Sequence, residues 1–243
     1  MKTKYQKCKY TPTFPSFIIY TYMDNITINE ERVGFLFDLD GVLIDSEREY
    51  TRIWGEINHA FPTGISDLPI IIKGMTLVEI IDRYFSSPTH RVEVPKMLSA
   101  LENKMKYEWT KGAKELLSDI QERGLPAVLV TSSNEEKMSH LRDELPEAVT
   151  YFSEIVTGDR VSHSKPHPEG YLLGASLMGC NPRRCVVFED SLQGVKAGRA
   201  AGAFVIGVAG TLSEDTIAPY ADMIVHSLEE ISLKSVITEL SKR

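Results

Sequence analysis

The sequence predicts an α/β fold: a doubly wound parallel sheet with a small α-helical domain inserted after the first strand. Short continuous apolar runs recur along the chain, a pattern typical of strands that are buried on both faces of a sheet. Helical stretches separate the runs, which favours parallel strands covered by helices. One long stretch after the first run contains no convincing strand and shows a helical spacing of apolar residues instead.

Five apolar runs are the predicted strands, at residues 33–37, 127–131, 185–188, 204–208 and 223–225. The helices predicted around them cover residues 112–123, 135–144, 169–178 and 192–201. Right-handed crossovers place the loops that follow parallel strands on one edge of the sheet. Ligands bind at that edge in open α/β sheets, so polar residues directly after a strand are the first candidates for a site.

Residues 46–107 are predicted to form a helical cap domain. Apolar side chains fall at helical spacing in two stripes there, at Leu77, Ile80, Ile81 and Tyr84 and at Met97, Leu98, Leu101 and Met105. Such stripes are more typical of helices that face a core than of a ligand site. The core domain then comprises residues 25–45 and 108–243, and residues 1–24 are expected to be a poorly ordered N-terminal extension.

Composition narrows the classes of function. The net charge of −7 argues against a nucleic-acid partner, because such proteins normally present a basic surface to phosphates. No apolar run approaches the roughly 20 residues that span a bilayer, so no membrane partner is expected. Cys8, Cys180 and Cys185 form neither a CxxC pair nor a disulfide framework. This favours a reducing, cytoplasmic location, and a monomer or weak oligomer is expected.

The first polar segment after a strand contains two aspartates and a glycine, Asp38, Asp40 and Gly41. Side chains alternate along a strand, so carboxylates two residues apart can point the same way. One could attack a substrate while the other handles a proton. The glycine lets the chain turn away sharply. An exposed acidic turn is the alternative explanation of this segment taken alone.

Three further segments carry chemically useful residues. Thr131 and Ser132 precede a predicted helix, where hydroxyl and N–H groups can bind a phosphate or simply cap the helix. Lys165 would offset repulsion between carboxylates, although a Lys-Pro pair is also common in surface loops. Glu189 and Asp190 suit Mg²⁺, which prefers oxygen ligands, or could cap a helix. Each alternative is reasonable by itself, and it is the combination of segments that favours phosphoryl transfer.

Together these segments resemble the four motifs of the haloacid dehalogenase-like superfamily. The segments are DLDGVLIDSE, VTSSN, SKPHPEGY and FEDSLQGVKAGRAAG. More narrowly, they are similar to those of the beta-phosphoglucomutase-like sugar-phosphate phosphatases, which have a helical cap. The resemblance covers about residues 33 to 225. It implies an α/β core of the superfamily's Rossmann-like type and a Mg²⁺-dependent phosphohydrolase.

The resemblance also implies roles for individual residues. Asp38 would form an aspartyl-phosphate, and Asp40 would be the general acid and base. The phosphoryl group would be held by Thr131, Ser132 and Lys165. The Mg²⁺ ligands would be Asp38, the backbone carbonyl of Asp40, and Asp190, with Glu189 close by. The dehalogenase branch of the superfamily lacks the second aspartate, so Asp40 points to phosphate chemistry.

The cap favours a phosphatase over a mutase. Lys73 and Gly74 stand where the resembling mutases also have Lys-Gly, but Leu77 and Tyr50 replace an arginine and a histidine of those enzymes. We therefore expect hydrolysis of a small phosphorylated metabolite, such as a sugar phosphate. A phosphosugar mutase, phosphonate or pyrophosphate cleavage, and a non-catalytic phosphate-binding module are the alternatives. Lys73 is a candidate substrate contact or an ordinary surface lysine.

The histidines show no metal-ligand spacing in the sequence. All six are interpreted as structural or surface groups; they are His59, His90, His140, His163, His167 and His226.

Overall fold

Six parallel strands organise the computed structural model, which describes residues 31–73, 75–210 and 213–243. The strands are β1 (Gly34–Phe37), β2 (Ala127–Val130), β3 (Glu154–Val156), β4 (Cys185–Glu189), β5 (Phe204–Val208) and β6 (Met223–Val225). Their order in the sheet is β3-β2-β1-β4-β5-β6, and every neighbouring pair is parallel. The chain winds in opposite directions on either side of β1 and β4, so a crevice opens beyond their carboxyl ends.

The predicted fold class is confirmed, but one strand was missed. β3 has only three residues and lies at the edge of the sheet. Glu154 is exposed and only Val156 is buried, so the segment lacks the continuous apolar run by which the other strands are recognised.

Helices cover the sheet and form the segment inserted after β1. They are α1 (Glu47–Ala60), α2 (Leu68–Ile71), α3 (Leu77–Tyr84), α4 (Pro88–Glu102), α5 (Ala113–Glu122), α6 (Glu135–Glu144), α7 (Glu169–Leu177), α8 (Leu192–Ala201), α9 (Glu214–Ile217) and α10 (Leu233–Leu240). Short 3-10 helices lie at Pro146–Val149, Gly158–Arg160, Pro182–Arg184 and Leu228–Glu230. The helices predicted for the core differ from α5, α6, α7 and α8 by at most one residue at each end.

The described residues between 46 and 107 contain helices α1 to α4 and no strand. Helix α1 packs against α2 and α4, and α4 packs in turn against α6 of the sheet layer. The inserted helices therefore pack, through α4, against α6, which is the helix that follows β2. We retain residues 46–107 as the proposed cap and residues 25–45 and 108–243 as the proposed core. The expectation for residues 1–24, like Cys8 and Gly74, lies outside the described residues.

The core lies on both faces of the sheet because side chains alternate along each strand. On one face the rings of Phe37 and Phe188 stack with centroids 4.4 Å apart and planes 5° from parallel. On the other face Leu36 and Val187 pack in a second cluster with Tyr171 of α7. No helix in the described part of the chain combines the length and apolar composition that crossing a lipid bilayer requires.

Candidate active site

Asp38 lies directly beyond β1, at the centre of the sheet's carboxyl edge. Its backbone N–H donates to the carbonyl of Phe188 at 3.0 Å, which continues the β1–β4 ladder into the site. Its side chain is 12% exposed and accepts a hydrogen bond from Lys165 at 2.5 Å. Burial raises the pKa of Asp38 to about 7; the charge of Lys165 opposes this shift, and the carboxylates of Glu189 and Asp40 add to it. This is a buried carboxylate, so the exposed acidic turn considered from the sequence is not what the structure shows.

Lys165 is the cation at the centre of this buried cluster. Its Nζ donates to Asp38 and to Oε1 of Glu189, both at 2.5 Å, and to the carbonyl of Val130 at 3.2 Å. Burial alone would lower the pKa of Lys165, but the two carboxylates outweigh it and raise the pKa above its ordinary value. A lysine held by three buried acceptors is not an ordinary surface residue of a loop.

Glu189 is fully buried at the end of β4 and is satisfied by several donors. Oε1 accepts from Lys165 and from the hydroxyl of Tyr171 at 2.6 Å. Oε2 accepts from the backbone N–H of Ser191 at 3.2 Å and from its hydroxyl at 3.0 Å. A buried carboxylate needs such partners because desolvation is costly. Glycine at Gly194 is required by this packing, since a Cβ there would lie 1.8 Å from the Glu189 carboxyl carbon.

Three carboxylates are placed so that one metal ion could contact them all. Asp38, Glu189 and Asp190 each offer an oxygen, and these oxygens lie within 4.8 Å of one another. Gly41 lets the loop after β1 pass beside Asp190: its φ is +74°, and a Cβ there would lie 2.2 Å from Oδ2 of Asp190. Three neighbouring carboxylates carry more negative charge than Lys165 offsets. Hard oxygen donors with excess negative charge fit Mg²⁺.

Asp40 faces a different set of partners from Asp38. Its Oδ2 accepts from Nζ of Lys137 at 2.5 Å and from the Ser133 hydroxyl at 3.4 Å. The hydroxyl of Ser46 donates to its Oδ1. The Asp40 side chain is 26% exposed and does not belong to the group of carboxylates just described. The two aspartates of the first motif are thus separated into different environments.

Lys137 was not identified from the sequence. Its side chain is only 3% exposed, and its Nζ lies 4.1 Å from the centre of the Tyr50 ring. The Tyr50 hydroxyl donates to Oε1 of Glu102 at 2.6 Å. Burial raises the pKa of Glu102, although the charge of Lys137 opposes that shift. A lysine in the first turn of a helix is ordinarily exposed, so no signal in the sequence marks Lys137. Tyr171 was also missed, because nothing in the local sequence shows that its hydroxyl will contact Glu189.

Thr131 and Ser132 follow β2 and lie at the same edge as Asp38. Thr131 is buried; its N–H donates to the carbonyl of Val156 at 2.9 Å, and its hydroxyl accepts from the N–H of Ser133 at 3.0 Å. The cap of α6 is Asn134, whose side chain accepts from the N–H of Lys137 at 2.9 Å. The capping role considered for Thr131 and Ser132 is therefore filled by another residue. Ser191, rather than Asp190, likewise caps α8.

A cavity of about 140 Å³ joins these groups to the inserted helices. Its base is lined by Asp38, Asp40, Thr131, Ser132, Lys137 and Asp190. Its opposite wall is mostly apolar and includes Trp54, Ile72, Leu77, Ile80 and Leu98. Lys73 is the cation that this wall contributes among the described residues. Lys165 and Glu189 do not line this cavity; Lys165 contacts Asp38, and Glu189 contacts Lys165.

Comparison with known proteins identifies similar sequences and folds. A family model described as haloacid dehalogenase-like hydrolase matches residues 34–202. Hexitol phosphatase A of Escherichia coli (strain K12) is 33% identical over 207 residues, covering 82% of this chain and 93% of that protein. Validoxylamine A 7'-phosphate phosphatase of Streptomyces hygroscopicus subsp. limoneus is 30% identical over 202 residues, covering 81% and 94%. The crystal structure of beta-phosphoglucomutase from Clostridium difficile superposes with a TM-score of 0.74 at 22% identity, covering 88% and 98% of the two chains.

Proposed function

Because the chain belongs to the haloacid dehalogenase-like hydrolase family, we propose that it is a Mg²⁺-dependent phosphatase acting through an aspartyl-phosphate. Its substrate is a small phosphorylated metabolite, with a sugar phosphate the favoured class. The observation that carries the proposal is the buried Asp38–Lys165 pair at 2.5 Å, with Asp190 beside it at the base of a cavity. Relatives that are themselves phosphatases support it.

Asp38 is the proposed nucleophile. Its carboxylate oxygen forms a bond to phosphorus while the bond from phosphorus to the leaving oxygen breaks. An anionic carboxylate approaches an anionic phosphate only where positive charge offsets the repulsion. Lys165 supplies one such charge through its contact with Asp38. Thr131 and Ser132, at the end of β2, offer hydroxyl and N–H groups to the phosphoryl oxygens.

Asp40 is the proposed general acid and base. It gives a proton to the leaving oxygen and then takes one from the water that hydrolyses the aspartyl-phosphate. Lys137, Ser46 and Ser133 hold its carboxylate. Lys137 is therefore a positioning residue in this proposal, because it contacts Asp40 and fixes the direction from which a proton can move.

The carboxylates of Asp38 and Asp190 and the backbone carbonyl of Asp40 are the proposed Mg²⁺ ligands, with Glu189 close by. When bound, the ion neutralises phosphoryl charge and orients the group for in-line attack. Glu189 also accepts hydrogen bonds on both oxygens from Lys165, Tyr171 and Ser191. Its larger contribution is to hold Lys165 in place.

A phosphosugar mutase is the second candidate, because the fold is shared with a beta-phosphoglucomutase. At 22% identity that likeness concerns the fold alone. The residues that line the cavity wall favour a phosphatase over a mutase. Leu77 lines it where the resembling mutases carry an arginine for a second phosphate, and Tyr50 stands where they carry a histidine. Lys73 remains a proposed substrate contact on that wall.

The test is a panel of phosphate esters assayed by release of inorganic phosphate. The panel contains hexitol, hexose and pentose phosphates, each with Mg²⁺ and again with excess EDTA. We expect at least one ester to be hydrolysed with Mg²⁺, the activity to vanish with EDTA, and Mg²⁺ to restore it. The Asp38→Asn protein, purified in parallel, measures any contaminating phosphatase. Undiminished turnover in EDTA would refute the metal dependence, and no turnover of any ester would favour a non-catalytic phosphate-binding module.

A further inference from the structure

A second group of metal-ligating side chains lies outside the carboxylate cluster, on the loop before α7 and on the first residue of that helix. His163, His167 and Glu169 each offer one ligand atom, and the three atoms lie within 4.8 Å of one another. Nδ1 of His163 is 2.8 Å from Oε2 of Glu169, and Nδ1 of His167 is 3.8 Å from the same oxygen. From the sequence, both histidines are interpreted as structural or surface groups without metal-ligand spacing. The structure brings them together, with ring centroids 4.6 Å apart.

The carboxylate of this group is held in position by the backbone. Oε1 of Glu169 accepts from the N–H of Ser162 at 2.8 Å, and Oε2 accepts from the N–H of His163 at 3.1 Å. Hydrogen bonds of this kind orient a ligating carboxylate and reduce the cost of arranging the site. The Glu169 side chain is only 13% exposed, whereas that of His163 is 53% exposed. The group is therefore fixed at its base and open to solvent at its rim.

His167 is the less exposed of the two histidines, and one nitrogen of its ring faces the backbone at the start of α7. The N–H of Glu169 donates to Nδ1 of His167 at 3.3 Å, so an ion that takes this nitrogen as a ligand would replace that hydrogen bond. A metal ligand must be the neutral imidazole.

We propose that His163, His167 and Glu169 form a second cation site that takes a late first-row divalent ion such as Zn²⁺. Two imidazole nitrogens and one carboxylate oxygen suit Zn²⁺, Co²⁺, Ni²⁺ or Cu²⁺ better than Mg²⁺. The site is thus chemically distinct from the all-oxygen cluster at Asp38 and Asp190. Its two histidines flank Lys165 at two residues on either side, so an ion bound here ties the segment carrying Lys165 to the start of α7. This proposal does not depend on the proposed phosphatase activity.

The first test is calorimetric titration of Zn²⁺ into the full chain, with saturating Mg²⁺ present to occupy the carboxylate cluster. The double variant His163→Ala/His167→Ala is compared with wild type and with the control His59→Ala/His226→Ala, which removes two exposed histidines elsewhere. We expect wild type and control to bind one Zn²⁺ that the double variant loses or binds at least roughly tenfold more weakly. Co²⁺ should give visible absorption bands that follow the same pattern. Equal stoichiometry and affinity in all three proteins would overturn the proposal.

A measurement on the wild type keeps the test independent of how well a variant folds. Diethyl pyrocarbonate modifies accessible imidazoles, and peptide mass spectrometry locates the modified residues. Zn²⁺ should protect His163 and His167 while leaving the exposed His59 reactive. Unchanged modification of His163 and His167 in the presence of Zn²⁺ would mean that the group only stabilises the loop through hydrogen bonds.

Discussion

Nζ of Lys137 lies 2.5 Å from Oδ2 of Asp40, although 97 residues separate the two in the sequence. The lysine is almost fully buried, and the Tyr50 ring lies against it. A buried ammonium group is stable only where its charge is offset. Here Asp40 supplies the opposite charge directly, and Lys137 also interacts with the charge of Glu102, which accepts a hydrogen bond from Tyr50. The proposed acid–base residue is thus tied to the inserted helices as well as to the sheet.

Replacing Lys137 should slow turnover more than it weakens substrate binding. Lys137→Met keeps an unbranched apolar stem against Tyr50 but frees the Asp40 carboxylate. Because small displacements of a proton-transfer group are costly, we expect kcat to fall roughly tenfold to a hundredfold, with KM changed only a few-fold. Steady-state kinetics on the best ester of the panel measure this. Lys104→Met, at an exposed lysine, is the control. An unchanged kcat for Lys137→Met, or a loss confined to KM, would argue against a positional role.

Asparagine substitutions of the two aspartates in the first motif should have different effects on turnover. Asp38→Asn removes the proposed nucleophile and should abolish turnover. Asp40→Asn leaves its backbone carbonyl in place but removes proton transfer, so we expect a loss of roughly 10² to 10⁴ in kcat. With an ester that has a good leaving group, the aspartyl-phosphate should then accumulate, and rapid quenching followed by mass spectrometry should detect it on Asp38. Wild-type rates for Asp40→Asn would contradict the assignment.

Two glycines should respond in opposite ways to alanine. At Gly55, inside α1, a Cβ would meet nothing within 4 Å beyond the adjoining residues and the backbone of its own helix, so Gly55→Ala should stabilise the protein by roughly 0.5–1 kcal/mol through helix propensity. At Gly194 a Cβ would overlap the Glu189 carboxylate, and the forced shift should cost roughly 1–3 kcal/mol and reduce activity. Urea unfolding and phosphate release measure both effects. A stabilised and fully active Gly194→Ala protein would show that Glu189 need not stay where it is.

The buried carboxyl of Glu102 should make stability depend on pH. Burial raises its folded pKa above the unfolded value of 4.5, so its contribution to stability is complete below about pH 4.5 and is lost as pH rises through the folded pKa. Glu102→Gln cannot lose a proton and still accepts from Tyr50. We therefore expect the free energy of unfolding of wild type to fall relative to Glu102→Gln as pH rises above about 4.5. Glu122→Gln, at an exposed site, controls for the removal of one negative charge. Parallel curves for wild type and Glu102→Gln would contradict this.

Water should be the normal acceptor of the phosphoryl group. A mutase must hold a bisphosphorylated intermediate, and losing one charge-assisted contact to its second phosphate costs on the order of 1.5–3 kcal/mol. Leu77 cannot make that contact. The enzyme is incubated with β-glucose 1-phosphate, Mg²⁺ and a trace of the 1,6-bisphosphate, and glucose 6-phosphate and inorganic phosphate are measured together. Efficient isomerisation with little phosphate release would replace the phosphatase proposal with the mutase.

The order of amino acids is enough to predict the sheet and the edge at which the polar site residues gather. Parallel strands with buried faces must be apolar throughout, so β1, β2, β4 and β5 are visible as runs of apolar letters. Their carboxyl ends share an edge, and the residues directly after them, such as Asp38, Thr131 and Asp190, therefore come together. This prediction needs only the local pattern of apolar residues and the right-handed crossover between parallel strands.

Which side chains meet across the fold becomes visible only once the helices are packed on the sheet. Lys137 and Tyr171 lie on helices, and His163 lies on a loop, where local sequence does not reveal which neighbour a side chain will contact. Lys137 meets Asp40 because α6 starts at the edge where β1 ends, and Tyr171 meets Glu189 because α7 packs across the sheet. The edge strand β3 was hidden as well, since it buries too little to need an apolar run. Hydrogen bonds and ion pairs require atoms that lie about 3 Å apart in space. The number of residues between two side chains in the sequence does not predict that distance.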